Sequence, residues 1–99
     1  MNKMILVMTA KSGKAREALA VVKAAGEYTT SKYDIKGEVY MQVLGGTAGT
    51  IYVIVDYKDV ASAQAMQARL MADDAYWAIV QKMADVVADP PTITLLQPV

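Results

Sequence analysis

Short apolar segments alternate with longer amphipathic stretches along this chain. The apolar segments, rich in β-branched, aromatic and other large side chains, are residues 3–9, 38–44, 50–57 and 92–97. Their length and composition are typical of β-strands. The second and third segments are separated by residues 45–49, which include three glycines, so these two segments are predicted to pair as a β-hairpin.

The first amphipathic stretch predicts a helix at residues 13–29. Its apolar positions recur at steps of three and four residues, and charged side chains occupy the remaining surface. Ser12 precedes the stretch and is suited to accept a hydrogen bond from an unpaired N–H of the first turn. The run of hydroxyl side chains at residues 29–31 disfavours continuation, so the helix is expected to end there.

The second amphipathic stretch, residues 58–88, predicts a helix that is broken in two. Apolar residues recur at helical spacing on both sides of a joint at residues 72–74. Asp59 is the predicted N-cap of the first piece, residues 60–71. Asp73 or Asp74 caps the second piece, which is expected to end near Ala88.

The resulting order, β-α-β-β-α-β, is that of the α+β ferredoxin-like fold, or split βαβ. It predicts a single domain over residues 1–99, with a four-stranded antiparallel sheet and helices on one face only. The second helix of this plan is the broken one.

Alternation along the strands places apolar residues on both faces of this sheet. One set, which includes Met4, Leu6 and Met8 of the first strand, is predicted to lie under the helices together with Val43 of the second. A solvated sheet face is plainly polar, but the opposite set is not. At about 25 cal/mol per Å², covering several hundred Å² of it contributes roughly 10 kcal/mol before association costs. We therefore predict a homodimer whose interface contains Ile5, Val7, Tyr40, Gln42, Tyr52, Ile54, Thr94 and Leu96.

Composition agrees with an assembly and excludes several kinds of chemistry. The chain is 55% apolar, more than is usual for a small domain, and its ten basic and ten acidic residues cancel. The sequence has no stripe of basic residues, so it predicts neither nucleic-acid binding nor a membrane-surface helix. The absence of cysteine and histidine removes thiolate nucleophiles and the commonest metal ligands, so no metal site and no cofactor are predicted.

The N-terminal apolar run, residues 4–8, is shorter than the core of a signal peptide. No segment approaches the length of a membrane span, which is about 20 apolar residues. A cytoplasmic location is the expectation that follows.

The element around the joint, Tyr57 followed by an alanine-rich helix and then Asp73-Asp74-Ala75-Tyr76-Trp77, resembles NIPSNAP-like domains. In those domains a strand-ending aromatic residue precedes such a helix, and a short Asp-x-x-Trp-like element opens the next one. The resemblance covers nearly the whole chain. It extends to the dimeric α/β-barrel superfamily, in which two ferredoxin-like sheets join into a barrel, and to its antibiotic-biosynthesis-monooxygenase branch.

The resemblance implies a homodimer with a small-molecule cavity between the sheet and its helices. Members of the superfamily include cofactor-free monooxygenases acting on aromatic polyketides, haem-degrading enzymes, isomerases and proteins without known activity. Several haem-handling members rely on histidine, which this sequence lacks.

Candidate cavity-lining residues are drawn from the methionines and from aromatic residues near the joint. They are Met8, Met41, Val53, Tyr57, Met66, Tyr76, Trp77 and Met83. The methionines and Trp77 have a plainer explanation: methionines fill gaps in apolar cores, and Trp77 is the expected anchor of the second piece of the broken helix against the sheet. Helix capping likewise explains Asp73 and Asp74 better than an acidic metal or acid–base pair does.

Two functions remain open at this stage, and so does the question whether the protein is an enzyme. The first is a homodimeric domain that binds a small apolar or aromatic molecule between sheet and helices. The alternative is a cofactor-independent monooxygenase or isomerase acting on an aromatic polyketide-like substrate, with Tyr57, Tyr76 or Trp77 orienting it.

Overall fold

A computed structural model describes all residues from Met1 to Val99. Its four strands are β1 (Asn2–Thr9), β2 (Gly37–Met41), β3 (Thr50–Tyr57) and β4 (Thr92–Leu96), and all neighbouring pairs are antiparallel. The order across the sheet is β2-β3-β1-β4, so the two long strands lie at the centre. This is the predicted ferredoxin-like fold.

The helical elements are α1 (Ala15–Tyr33), α2 (Val60–Met71) and α3 (Asp74–Val80), and a short 3-10 helix, Gln81–Asp85, continues α3. The bounds of α2 and β3 are those predicted from the sequence. None of the helices combines the length and the apolar character that crossing a bilayer requires.

The predicted limits of α1 are wrong at both ends. Gly13 adopts a left-handed φ of 78°, so the helix begins two residues later, after Lys14, and Ser12 provides no cap. At the other end the hydroxyls of Thr29 and Thr30 donate to the carbonyl of Gly26 and are satisfied within the helix. The helix therefore continues to Tyr33.

The second piece of the broken helix, α3, is also shorter than predicted. Instead of running to residue 88, regular helix ends at Val80, and the chain then enters the 3-10 helix. Beyond it, Val87 forms an isolated bridge with Ala10, and the Ala88 N–H donates to the Thr9 carbonyl at 2.8 Å. The chain pairs with the end of β1 instead of continuing as a helix, and this pairing supplies hydrogen-bond partners to buried backbone N–H and C=O groups.

The β2–β3 loop is longer than the predicted five-residue turn. Pairing of β2 ends at Met41, apart from a hydrogen bond from Gln42 N–H to the Thr50 carbonyl at 2.9 Å. Val43, predicted to lie under the helices, is instead 88% exposed in the loop, and Leu44 is exposed beside it.

The main core lies between α1 and the middle of the sheet. Ala18 and Val22 of α1 pack against Met8 and Ile51, and Val86 and Val87 close the same cluster. A smaller cluster under α2 joins Ala63 to the end of β3. Small side chains on the buried stripe of α1 allow the helix to lie close to the sheet.

Strand register assigns the opposite face of the sheet. Paired positions Ile5 and Ile54, and Val7 and Tyr52, lie side by side on that face. Tyr52 donates to the Gln42 side chain at 3.0 Å, so Gln42 lies on this face too. All eight residues of the predicted interface share the face that the helices leave uncovered, namely Ile5, Val7, Tyr40, Gln42, Tyr52, Ile54, Thr94 and Leu96.

Replacement of Ile51, which is fully buried, is expected to test the assignment of the core. Ile51→Ala removes packed methylene groups and leaves a cavity, so the free energy of unfolding should fall by about 3 kcal/mol. Val43→Ala, at an exposed loop position, should change it by less than about 0.5 kcal/mol. Urea denaturation of both variants at one protein concentration measures the difference, and equal losses would contradict the assignment.

Candidate functional site

A cavity of about 100 Å³ lies between the sheet and the helix layer and is open to solvent on one side. Its floor is formed by helix-facing residues of β1, β2 and β3, and its walls by α1, α2 and α3. Twelve of its fifteen lining residues are hydrophobic, and none carries a formal charge. The site is therefore built to accept an uncharged molecule or part of one.

Five of the eight sequence-predicted lining residues border this cavity: Met8, Val53, Tyr57, Tyr76 and Met83. The other three lie outside its lining. Met41 is at the exposed end of β2, and Met66 packs beside the small cluster under α2. Trp77 is 36% exposed, and its indole N–H donates to the Met71 carbonyl at 2.8 Å.

The expected role of Trp77 as a core anchor is therefore wrong. Its indole satisfies a carbonyl in the last turn of α2, one of the groups that a helix leaves unpaired. Tyr76, its neighbour in the sequence, is the aromatic residue of α3 that turns towards the sheet.

Sequence reasoning did not propose the remaining lining residues, although a signal for many of them existed. The helix-facing alternation of the strands and the apolar stripe of α1 could have identified several. The signal was weakest for residues at element ends. The additional lining residues are Leu6, Val22, Ala25, Gly26, Thr29, Ile35, Gly37, Val39, Val55 and Leu70.

Two phenolic hydroxyls give the cavity its principal polar character. Neither Tyr57 nor Tyr76 has a hydrogen-bond partner for its hydroxyl within the chain, although Tyr57 is only 8% exposed. No side-chain oxygen that is sealed from solvent lacks a partner, so neither hydroxyl is fully closed off from solvent, and both residues border the cavity. Burial raises the pKa of both hydroxyls, and nearby Tyr76 adds to the rise at Tyr57. Both therefore remain neutral hydrogen-bond donors at physiological pH.

Asp73 fixes the wall of the cavity next to these tyrosines. The carboxylate caps α3 by accepting from the N–H groups of Ala75 and Tyr76 at 3.0 and 3.1 Å. It also accepts from the hydroxyl of Tyr28, at 2.7 Å for the shorter contact, and from that of Tyr33. One buried side chain thus joins the last turns of α1 to the start of α3.

A cation completes this network. The Lys32 ammonium donates to Asp73 Oδ2 at 2.9 Å and to the Tyr28 hydroxyl at 3.0 Å, and the Arg69 guanidinium lies 4.8 Å from the ring centre of Tyr33. Hydrogen bonds from Tyr33, then from Tyr28 and Lys32, hold the pKa of Asp73 well below its ordinary value of 3.8, against the opposing effect of burial. Asp73 is therefore a charged structural acceptor.

The acidic side chains near the cavity form no metal-binding group, and the one buried carboxylate among them has a structural role. No group of three or more His, Cys, Asp or Glu side chains is arranged to hold a metal ion. The Asp73 carboxylate has five donors around it, so it has little capacity left to abstract a proton from a ligand.

Comparison with known proteins assigns the family. The profile of the NIPSNAP family matches residues 5–95, nearly the whole chain. The chain belongs to the NIPSNAP family. None of the functionally curated proteins compared with it matches at a significant level.

Solved structures show the same fold. An uncharacterised NIPSNAP domain protein from Burkholderia xenovorans is 20% identical, with a TM-score of 0.84, covering 100% of this chain and 95% of its own. A Nitrosomonas europaea protein, provisionally assigned as an antibiotic biosynthesis monooxygenase, is 14% identical, with a TM-score of 0.75 and coverage of 99% and 98%.

A third structure adds an assembly. A dimeric protein of unknown function from Bacteroides fragilis, described as ferredoxin-like, is 14% identical, with a TM-score of 0.72, covering 98% of this chain and 95% of its own. The NIPSNAP domain described here thus shares its fold with a protein that is dimeric.

Replacement of Asp73 is expected to reveal its role in this NIPSNAP chain. Because the folded-state pKa of Asp73 is lowered, its contribution to stability is present above the ordinary value of 3.8 and is lost as pH falls below it. Asp73→Asn should lower the midpoint of thermal unfolding by several degrees at pH 7. It should also reduce the loss of stability between about pH 5 and pH 2.

Asp74→Asn is the matched control, because this neighbouring carboxylate is exposed and makes no side-chain hydrogen bond. Thermal unfolding followed by circular dichroism across the pH range compares the variants. If the Asp73 variant kept the acid dependence of the wild type, the network would not supply it.

Proposed function

We propose that this NIPSNAP protein is a homodimer that binds a small apolar or aromatic molecule in the cavity between its sheet and its helices. The observation that carries the proposal is the cavity itself. It combines an uncharged, largely apolar lining with two tyrosine hydroxyls that lack partners in the chain. Ligand sites commonly combine an apolar lining with a few polar groups in this way.

The size of the cavity favours this function over the oxygenase alternative. An engineered apolar cavity of about 150 Å³ accepts benzene, and sites for drug-sized ligands occupy roughly 300–1,000 Å³. A volume of about 100 Å³ is smaller than that benzene site, so a single ring fills it and any substituent lies at the open side. A polyketide of several fused rings would have to project through the open side.

The alternative, a cofactor-independent monooxygenase or isomerase, is supported by the structural similarity to the provisionally assigned Nitrosomonas protein. That similarity extends to the fold and does not identify a reacting group in this chain. Oxygen consumption with anthrone-type substrates would favour the alternative over simple binding.

Toluene is the simplest probe of the proposed cavity site. In protein carrying 13C-methyl methionine, addition of toluene should shift the methyl signals of Met8 and Met83, which line the cavity, and leave exposed Met71 unchanged. Ala25→Leu should weaken binding at least tenfold, because the larger side chain occupies the same space. It should also raise the free energy of unfolding by about 1 kcal/mol, as cavity filling commonly does.

Ala24→Leu provides the control, since Ala24 is the exposed neighbour on the same helix. This variant should bind toluene as the wild type does. An absence of shifts in the wild type, or undiminished binding by Ala25→Leu, would contradict the cavity proposal.

The homodimer is supported by the uncovered sheet face. Its centre is apolar, with Ile5 beside Ile54 and Val7 beside Tyr52, and one end carries an exposed ion pair between Lys3 and Asp56 at 2.7 Å. An apolar centre with a charged margin is the usual arrangement of a protein interface. A two-fold axis would place this patch against its own copy, which is how most homodimers assemble.

Tyr52→Glu tests this assembly, because it places a charge at the centre of the proposed interface. The wild type should sediment as a dimer at micromolar concentration, and the variant should sediment as a monomer. Ala24→Glu, which adds the same charge on the outer surface of α1, should remain dimeric. A dimeric Tyr52→Glu variant would exclude this face as the interface.

A further inference from the structure

Resting on the cavity-binding function proposed above, we infer that the cavity selects a neutral ligand that carries a hydrogen-bond acceptor on a group no larger than one aromatic ring. A small aryl ketone has this chemistry. The inference follows from three properties of the lining: its charge, its donors and its volume.

The lining excludes charged ligands. None of the fifteen lining residues is ionised at neutral pH. Lys32, the cation of the Asp73 network beside the cavity, already donates to Asp73 and to the Tyr28 hydroxyl. A carboxylate or ammonium group entering the cavity would lose its hydration without gaining a counter-charge, which is strongly unfavourable.

The two free hydroxyls determine the polarity that a ligand must have. Tyr57 and Tyr76 stay protonated, because burial raises the pKa of each. Each can therefore donate a hydrogen bond to a carbonyl or ether oxygen. Their rings restrict where that oxygen can lie, since Tyr57 ends β3 and Tyr76 is held in the first turn of α3.

Packing holds the Tyr76 ring more firmly than it would hold the side chain of an exposed helix residue. Its ring centre is 6.4 Å from that of Tyr28, whose own hydroxyl is bound to Asp73. The Tyr76 N–H is bound to the same carboxylate. A donor that is held in place before the ligand arrives costs less ordering on binding, which favours selectivity for a matched acceptor.

Three ligands of similar size separate these effects: acetophenone, ethylbenzene and benzoate. Binding to the full chain is measured from the methyl signals of Met8 and Met83. Acetophenone should bind the wild type about threefold to tenfold more tightly than ethylbenzene, the gain expected of one net hydrogen bond. Benzoate should bind at least a hundredfold more weakly than acetophenone.

The variant Tyr57→Phe/Tyr76→Phe removes both hydroxyls and keeps both rings. It should lose the preference for acetophenone, while its affinity for ethylbenzene changes less than about twofold. Retained ethylbenzene binding also shows that the variant is folded. The two single substitutions identify which hydroxyl donates.

The outcomes distinguish this inference from the function on which it rests. If ethylbenzene binds but acetophenone binds no more tightly, or if the double variant keeps the preference, the acceptor class is wrong and the cavity function stands. If benzoate binds as well as acetophenone, the selection for neutral ligands is wrong. If none of the three ligands binds, both the inference and the proposed cavity function fail.

Discussion

The pairing of β1 with β3 is the constraint on which the rest of this structure depends. These two strands match over their full length at the centre of the sheet, from Asn2 opposite Tyr57 to Thr9 opposite Thr50. Both are apolar on both faces, so each face requires cover. The helices supply it on one side, where Ile51 is fully buried. On the other side the chain offers no further element, and this shortage is what makes an assembly physically reasonable.

The helix layer in turn depends on Asp73. A break between two helices leaves N–H groups without partners, and a buried carboxylate at the break is costly unless it is well bonded. Here the carboxylate supplies an acceptor to the unpaired N–H groups, and these groups supply it with donors. Asp73 accepts from the first turn of α3 and from Tyr28, Tyr33 and Lys32 of α1. Fixing α3 against α1 also fixes one wall of the cavity.

Local patterns in the sequence were sufficient for the fold and for part of the site. Strand β3 and helix α2 were placed correctly because alternation, helical spacing and the Asp59 cap agree there, and the Asp59 side chain does accept from Ser62 N–H at 2.7 Å. The predicted helix to residue 88 failed because Val87 pairs with Ala10, a contact between distant parts of the chain.

The candidate site was also predictable where local pattern decides and not where distant parts of the chain meet. Alternation pointed to Val53 and Tyr57, which lie on one face of one strand. The environment of Asp73 could be seen only as a cap, because its other donors lie some forty positions earlier in the sequence. Periodicity within a segment identifies a face, but it does not tell which side chains meet when two faces come together.

The cavity is a consequence of small residues at positions where larger ones would be expected to fill the core. Gly37, Ala25 and Gly26 all border it. At Gly37 an added Cβ would approach Val55 Cγ2 to 3.3 Å, a tight contact, and would touch Val53 Cγ1 at 3.4 Å. No such contact limits Gly26, where a side chain would meet open space.

An unfilled apolar volume has an energetic cost. At the value for closed cavities, about 24 cal/mol per Å³, an empty space of this size would cost at most roughly 2 kcal/mol, a substantial part of the 5–15 kcal/mol typical of a folded domain. Protein interiors are otherwise packed as closely as organic crystals. A bound molecule would recover that packing and supply an acceptor to Tyr57 and Tyr76. Packing and hydrogen bonding therefore both support the proposed binding site between the sheet and the helices.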